Sequence, residues 1–138
     1  MGAMHSYDAD NYGYGLSGFM ELSPTDKITL GIGATYAQNA LSYLGGAMES
    51  EFEDGQDVEG FNVYAGVSYD VTQKFSLALD GAYLSLTQGA EDYSLHGVNA
   101  TATYKPVSGL ALSVDGGMWQ DSLDNESAKI IGRIQYTF

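Results

Sequence analysis

The stretch FNVYAGVSYDVTQKFSLALDGAYL, residues 61–84, decides how this chain is read. Taken every second residue, it separates into two unlike sets. Phe61, Val63, Ala65, Val67 and Tyr69 alternate with Asn62, Tyr64, Gly66 and Ser68. Beyond VTQ (71–73), Phe75, Leu77, Leu79, Gly81 and Tyr83 alternate with Ser76, Ala78, Asp80 and Ala82. Successive side chains on a strand point to opposite faces, so a period of two predicts two strands joined by a tight turn, each with one apolar face.

The same alternation extends in both directions. It predicts strands near 12–22, 27–38, 60–71, 74–86, 93–104, 109–119 and 128–138. The connections alternate in length. SPTD (23–26), VTQ (71–73) and KPVS (105–108) are tight turns, whereas 39–59, 87–92 and 120–127 are longer loops. Short and long connections in alternation describe an all-β, antiparallel up-and-down barrel, with turns at one rim and loops at the other. Residues 1–11 are set apart from this domain at 12–138: MGAMHS reads as a vector-derived remnant, and the residues after it as a stub ending in the turn-like DADN (8–11).

Composition narrows the class. With 138 residues, 18 Gly, 11 Tyr and only two Pro, the chain suits one β-rich domain. Cys is absent, which removes disulfides and thiolate metal sites. A net charge of -13 with only five Lys and Arg excludes a nucleic-acid partner, since phosphate binding needs cations.

Alternation alone leaves open which face is outside. A soluble barrel would turn its apolar face inward and expose a surface rich in Lys, Glu and Arg. Here the polar faces are mostly Gly, Ser, Thr, Ala and Asn, residues that suit a crowded or water-filled interior. The aromatics give the second sign. Tyr69, Phe75, Tyr104, Tyr136 and Phe138 gather on apolar faces at the turn ends, and Tyr12, Tyr36, Phe61 and Tyr83 at the loop ends. Two aromatic girdles around an aliphatic band describe a transmembrane β-barrel, and strands of this length can cross a bilayer when tilted.

The closing stretch IIGRIQYTF, Ile130 to Phe138, fits this reading. It resembles the C-terminal strand of bacterial outer-membrane β-barrel proteins, which ends in a terminal Phe and serves as their assembly signal. RIQYTF is also similar to the ending of alphaproteobacterial porins. The resemblance implies a Gram-negative outer-membrane location, contact with lipid and lipopolysaccharide, and passive diffusion of small hydrophilic solutes or ions. The alternatives are a small closed barrel acting as an anchor or adhesion module through its loops, and a soluble ligand-binding barrel.

Charge is distributed along the barrel axis. Most of the 18 acids fall at the loop end, while Lys27, Lys74 and Lys105 border the turns. The segment MESEFEDGQDVEG (48–60) holds six carboxylates, Glu49, Glu51, Glu53, Asp54, Asp57 and Glu59. As a vestibule they would concentrate cations; otherwise they form a solvated loop. They lack the EF-hand spacing, so weak surface binding of Ca²⁺ or Mg²⁺ is the most they imply, and no dedicated metal site or cofactor is expected. The loop carrying them is long enough to fold over a lumen.

Within the strands, Asp80, Asp115, Lys129 and Arg133 point to the polar face, where they would form either a selectivity filter or a structural ion-pair lattice. A regular last hairpin would set Asp115 opposite Arg133 and Trp119 opposite Lys129. His96 falls on the apolar parity, with no second His or Cys in register. No nucleophile–base arrangement is present, so an enzyme is not expected. Seven strands would also place two parallel edges together, whereas barrels of this class have an even number. The expectation is that the chain is the C-terminal portion of a larger porin, which does not close a barrel alone and needs a partner chain or self-association; the alternative is a self-contained eight-stranded barrel.

Overall fold

The computed structural model describes residues 2–8, 11–40, 44 and 58–137, with side chains from residue 13 onward. It contains eight strands: β1 (Gly2–Asp8), β2 (Asn11–Thr25), β3 (Ile28–Gln38), β4 (Val58–Thr72), β5 (Phe75–Gln88), β6 (Glu91–Tyr104), β7 (Leu110–Asp121) and β8 (Glu126–Tyr136). They form one antiparallel sheet in strict chain order, β1 to β8. The seven expected strands are all present. The eighth, β1, occupies residues expected to be a remnant and stub; it pairs with β2 from Gly2 opposite Leu16 to Ser6 opposite Tyr12. Its own alternation is weak, and the neighbouring strand supplies the template.

The sheet is open, with β1 and β8 as its edges. The eighth strand corrects the reason anticipated for this. With an even count, β1 and β8 run antiparallel to one another, so no parallel joint stands between them.

Local chemistry places the turns. Thr25 Oγ1 accepts from the backbone N–H of Lys27 at 3.3 Å and of Ile28 at 3.1 Å. Thr72 does the same for Lys74 at 3.2 Å and Phe75 at 3.0 Å. These are side-chain–capped two-residue turns in which a Thr hydroxyl satisfies donors the ladder leaves free. The third turn closes with Leu110 N–H donating to Val107 O at 3.2 Å, and Gly109 adopts φ +81°, where a Cβ is disfavoured.

The β7–β8 connection corrects a register. Asp115 lies opposite Ile131, Arg133 opposite Ser113, Trp119 opposite Ser127 and Lys129 opposite Gly117. The ladder is shifted by two residues from the expected one because the strands pair further out, as far as Gln120 with Glu126. Asp121 makes this tight loop: its Oδ1 accepts from the N–H of Leu123 and of Asn125, both at 2.9 Å. An even shift changes partners and preserves faces.

Burial decides between membrane and water. Among the described residues the buried apolar side chains are only Ala37, Ala40, Leu44, Val58 and Leu84. Leu79 is 55% exposed, Val114 58% and Ile134 79%. A water-soluble barrel would have hidden such side chains, and an apolar face of this extent needs a lipid or protein surface against it. The soluble alternative is therefore set aside.

Candidate functional site

Strand registers place the polar-face residues in rows that run across the sheet. One row reads Phe19, Gly33, Tyr64, Ala82, Gly97, Trp119 and Ser127. The next, toward the turn rim, reads Glu21, Gly31, Gly66, Asp80, Asn99, Gly117 and Lys129. A third carries Thr29, Ser68, Ala78, Thr101, Asp115 and Ile131.

In the first two rows aromatic rings lie over glycines. A side chain at Gly33 would collide with the Tyr64 ring, and one at Gly97 or Gly117 with the Trp119 indole. Phe19 and Tyr64 pack nearly parallel, with centroids 6.2 Å apart and planes 16° apart. Lys129 Nζ stands 5.1 Å from the centroid of Trp119, a cation–π contact in place of the ladder pairing expected for these residues. The rings are held flat because their glycine neighbours offer no Cβ to lift them.

Asp80 and Asp115 are brought together by one amide. Asn99 Nδ2 donates to Asp115 Oδ2 at 2.9 Å and to Asp80 Oδ1 at 3.3 Å, and the Thr101 hydroxyl donates to Asp115 Oδ2 at 2.7 Å. Thr103 and Ser113 extend this line with a hydroxyl pair at 3.1 Å. Asn99 Oδ1 is buried without a described hydrogen-bond partner. Asp115 is thus held by neutral donors on β6, and Arg133 stands in a further row beside Ser113. Lys129 shares the row of Asp80, three strands away.

The long loop returns to this face at its β3 end. Leu44, 2% exposed, packs with Ala37, Ala40 and Leu84, and its carbonyl accepts from Asn62 Nδ2 at 2.8 Å. Asn39 turns the chain at φ 51°, and its Oδ1 accepts from the Val58 N–H at 2.9 Å. Space for Leu44 comes from Gly60, where a Cβ would lie 2.9 Å from Leu44 Cδ1. Glu49, Glu51, Glu53, Asp54 and Asp57 lie outside the described residues. Glu59 does not belong to the loop. It sits on β4 opposite Gln38, on the apolar face, and its carboxylate accepts from the Tyr36 hydroxyl at 3.0 Å.

The girdle residues whose side chains are described stand on the apolar face; that of Tyr12 is outside the described side chains. At the loop end Tyr14 joins Tyr36 at 6.1 Å, and Phe61 meets Tyr83 at 5.8 Å. At the turn end Phe75 pairs with Tyr104, while Tyr69 and Tyr136 are well exposed. Phe138 is outside the described residues. His96 faces Tyr83 on this same side. Two polar-face residues were missed, Glu21 and Phe19. The signal was the parity of their own strand, where Gly15, Ser17, Phe19 and Glu21 alternate with Leu16, Gly18, Met20 and Leu22.

A sheet with one exposed apolar face between aromatic girdles, and a small-residue polar face bearing a few paired charges, is an outer-membrane barrel wall. The family model described as a porin subfamily, Porin_2, matches residues 1–136, and the chain belongs to that family. No curated protein matches the sequence. The fold is similar to the outer-membrane channel DcaP of Acinetobacter baumannii, with a TM-score of 0.72 at 18% identity over 93% of this chain and 41% of that one. It is also similar to OmpT of Vibrio cholerae, with a TM-score of 0.69 at 15% identity over 92% of this chain and 41% of the other. The chain therefore spans about two fifths of the length of these structures. Its place is the bacterial outer membrane.

Proposed function

We propose that this sheet forms part of the wall of a porin channel for passive diffusion of small hydrophilic solutes, with a bias toward cations. The polar face carries the proposal. Its rows combine glycine, serine and threonine with Glu21, Asp80 and Asp115, while Lys129 and Arg133 are confined to the β8 edge. A lumen wall of this kind leaves room for water and lowers the energy of cations along the acidic strands. The anchored start of the long loop supports the reading, since it brings the chain back over the lumen side.

The apolar face would meet lipid, with lipopolysaccharide at the loop rim. The open edges would be completed by further strands of the same barrel, whichever chain supplies them. Planar-bilayer recording tests the channel. Steady current with a cation-directed reversal potential in a salt gradient is expected, and silence from correctly folded, fully assembled protein rejects a channel. Neutralising Glu49, Glu51, Glu53 and Asp54 together should reduce cation preference most at low salt, where screening is weakest. An unchanged reversal potential at every ionic strength assigns those acids to a solvated loop.

A further inference from the structure

We infer that the hollow on the polar face between Phe19 and Asp80 is a binding subsite for small organic cations, solutes that carry an ammonium group on a compact apolar body. It rests on the channel reading only for access from water. The hollow measures about 350 Å³, within the range of small-molecule sites. Its floor is Gly31 and Gly66, which contribute backbone alone. Its loop-side wall is the near-parallel pair of Phe19 and Tyr64. Glu21 and Asp80 share the floor's row, at its two ends.

The chemistry of these parts selects the ligand. Phe19 is 61% exposed on the polar face, beside Tyr64 and above the glycine floor, so its ring presents π-surface to the hollow. Glu21 receives no hydrogen bond or ion pair from any described residue, and Asp80 receives only the long 3.3 Å bond from Asn99. Two carboxylates with free acceptor capacity therefore flank an aromatic wall. No Lys or Arg lines the hollow. Along its row the nearest described cation is Lys129, three strands beyond Asp80 and committed to Trp119. The two Cα atoms of Glu21 and Asp80 are three strand spacings apart, about 14–15 Å at the usual interval. An ammonium placed there gains ion pairing at one end and a cation–π contact along the wall, whereas an anion meets two carboxylates.

The test uses the fully assembled protein in detergent micelles and four probes: benzylammonium, benzyl alcohol, benzoate and methyl glucoside. Titration followed by calorimetry should show benzylammonium binding about tenfold more tightly than benzyl alcohol, with benzoate weakest and the preference shrinking as salt rises. Glu21→Gln and Asp80→Asn should each weaken benzylammonium about fivefold, and Phe19→Leu, which keeps apolar volume without a ring, by a similar factor. Each variant is scored only after strand content matches the parent by circular dichroism, and Lys129→Gln serves as a distant charge control that should not weaken binding. Equal binding of benzyl alcohol, tighter binding of methyl glucoside, or undiminished affinity in both Glu21→Gln and Asp80→Asn overturns the proposal. Conductance is read separately. Protein that conducts yet fails to prefer benzylammonium defeats the subsite and leaves the channel standing. Protein that binds it as expected but passes no current defeats the channel and leaves the subsite standing.

Discussion

The two faces of the sheet are built from alternate residues of the same strands, yet they obey opposite rules. On the apolar face, side chains such as Leu79, Val114 and Ile134 stand out from the sheet and touch little of the protein. On the polar face, side chains lie down on it: Tyr64 over Gly33, Trp119 over Gly97 and Gly117, Asn99 between two aspartates. The lipid side is therefore specified by hydrophobicity alone, while the lumen side is specified by fit. One face should punish charge, and the other should punish volume.

The largest expected effect tests the first half of that statement. Leu79→Arg should destabilise the membrane-inserted fold by about 2–4 kcal/mol, while Ala78→Arg, one residue away on the other face, should cost far less. Reversible urea unfolding from lipid vesicles measures both, and equal penalties would erase the distinction between faces. Volume comes next. Gly33→Val must displace Tyr64 and should cost about 1–3 kcal/mol. Gly18→Val and Gly132→Val, on the apolar face with nothing within 4 Å of a new Cβ, should stay within about 0.5 kcal/mol. A third comparison concerns the polar bridge. Asn99→Leu removes the donor shared by Asp80 and Asp115 and should cost about 1 kcal/mol, with Thr101 remaining as a donor to Asp115.

The smallest effect lies beyond the membrane-spanning part, in the β7–β8 loop. The Asn125 side chain, then its backbone N–H and that of Leu123, hold the Asp121 carboxyl below the usual carboxylate range. A depressed folded-state pKa stabilises the loop above the unfolded value, near about 4, and this is lost as pH falls through the folded value. The protection of the Leu123 and Asn125 amides, measured relative to their intrinsic exchange rates, should fall only in that acid window. Asp121→Asn should remove the dependence; a rate that follows intrinsic exchange chemistry alone at every pH would dismiss the cap.

Much of this was legible in the chain because strand alternation is local. The seven strands from β2 to β8 start and stop within a few residues of their expected bounds, and Leu30, Val67, Leu77 and Leu112 take the expected face. What escaped depends on relations between strands. β1 carries little pattern of its own and is ordered by pairing with β2. The partner of Asp115 depends on how many residues the Asp121 loop consumes, which hydrophobic pattern does not encode. Phe19 escaped as a polar-face residue because an apolar side chain on that face breaks the rule that exposes the others. Glu59, counted with the vestibule by proximity in sequence, was placed on the other side of the wall by β4 parity.

The open edges carry a counting rule. β1 and β8 point in opposite directions, so any stretch of wall that joins them through antiparallel neighbours alone contains an even number of strands. Such a piece behaves like a domino with matched ends: it can be met by another even piece, including a copy of itself, with no parallel seam anywhere around the ring. An odd-stranded complement would force one. The orientation of the two edges, more than the sequence of either, restricts what can complete this wall.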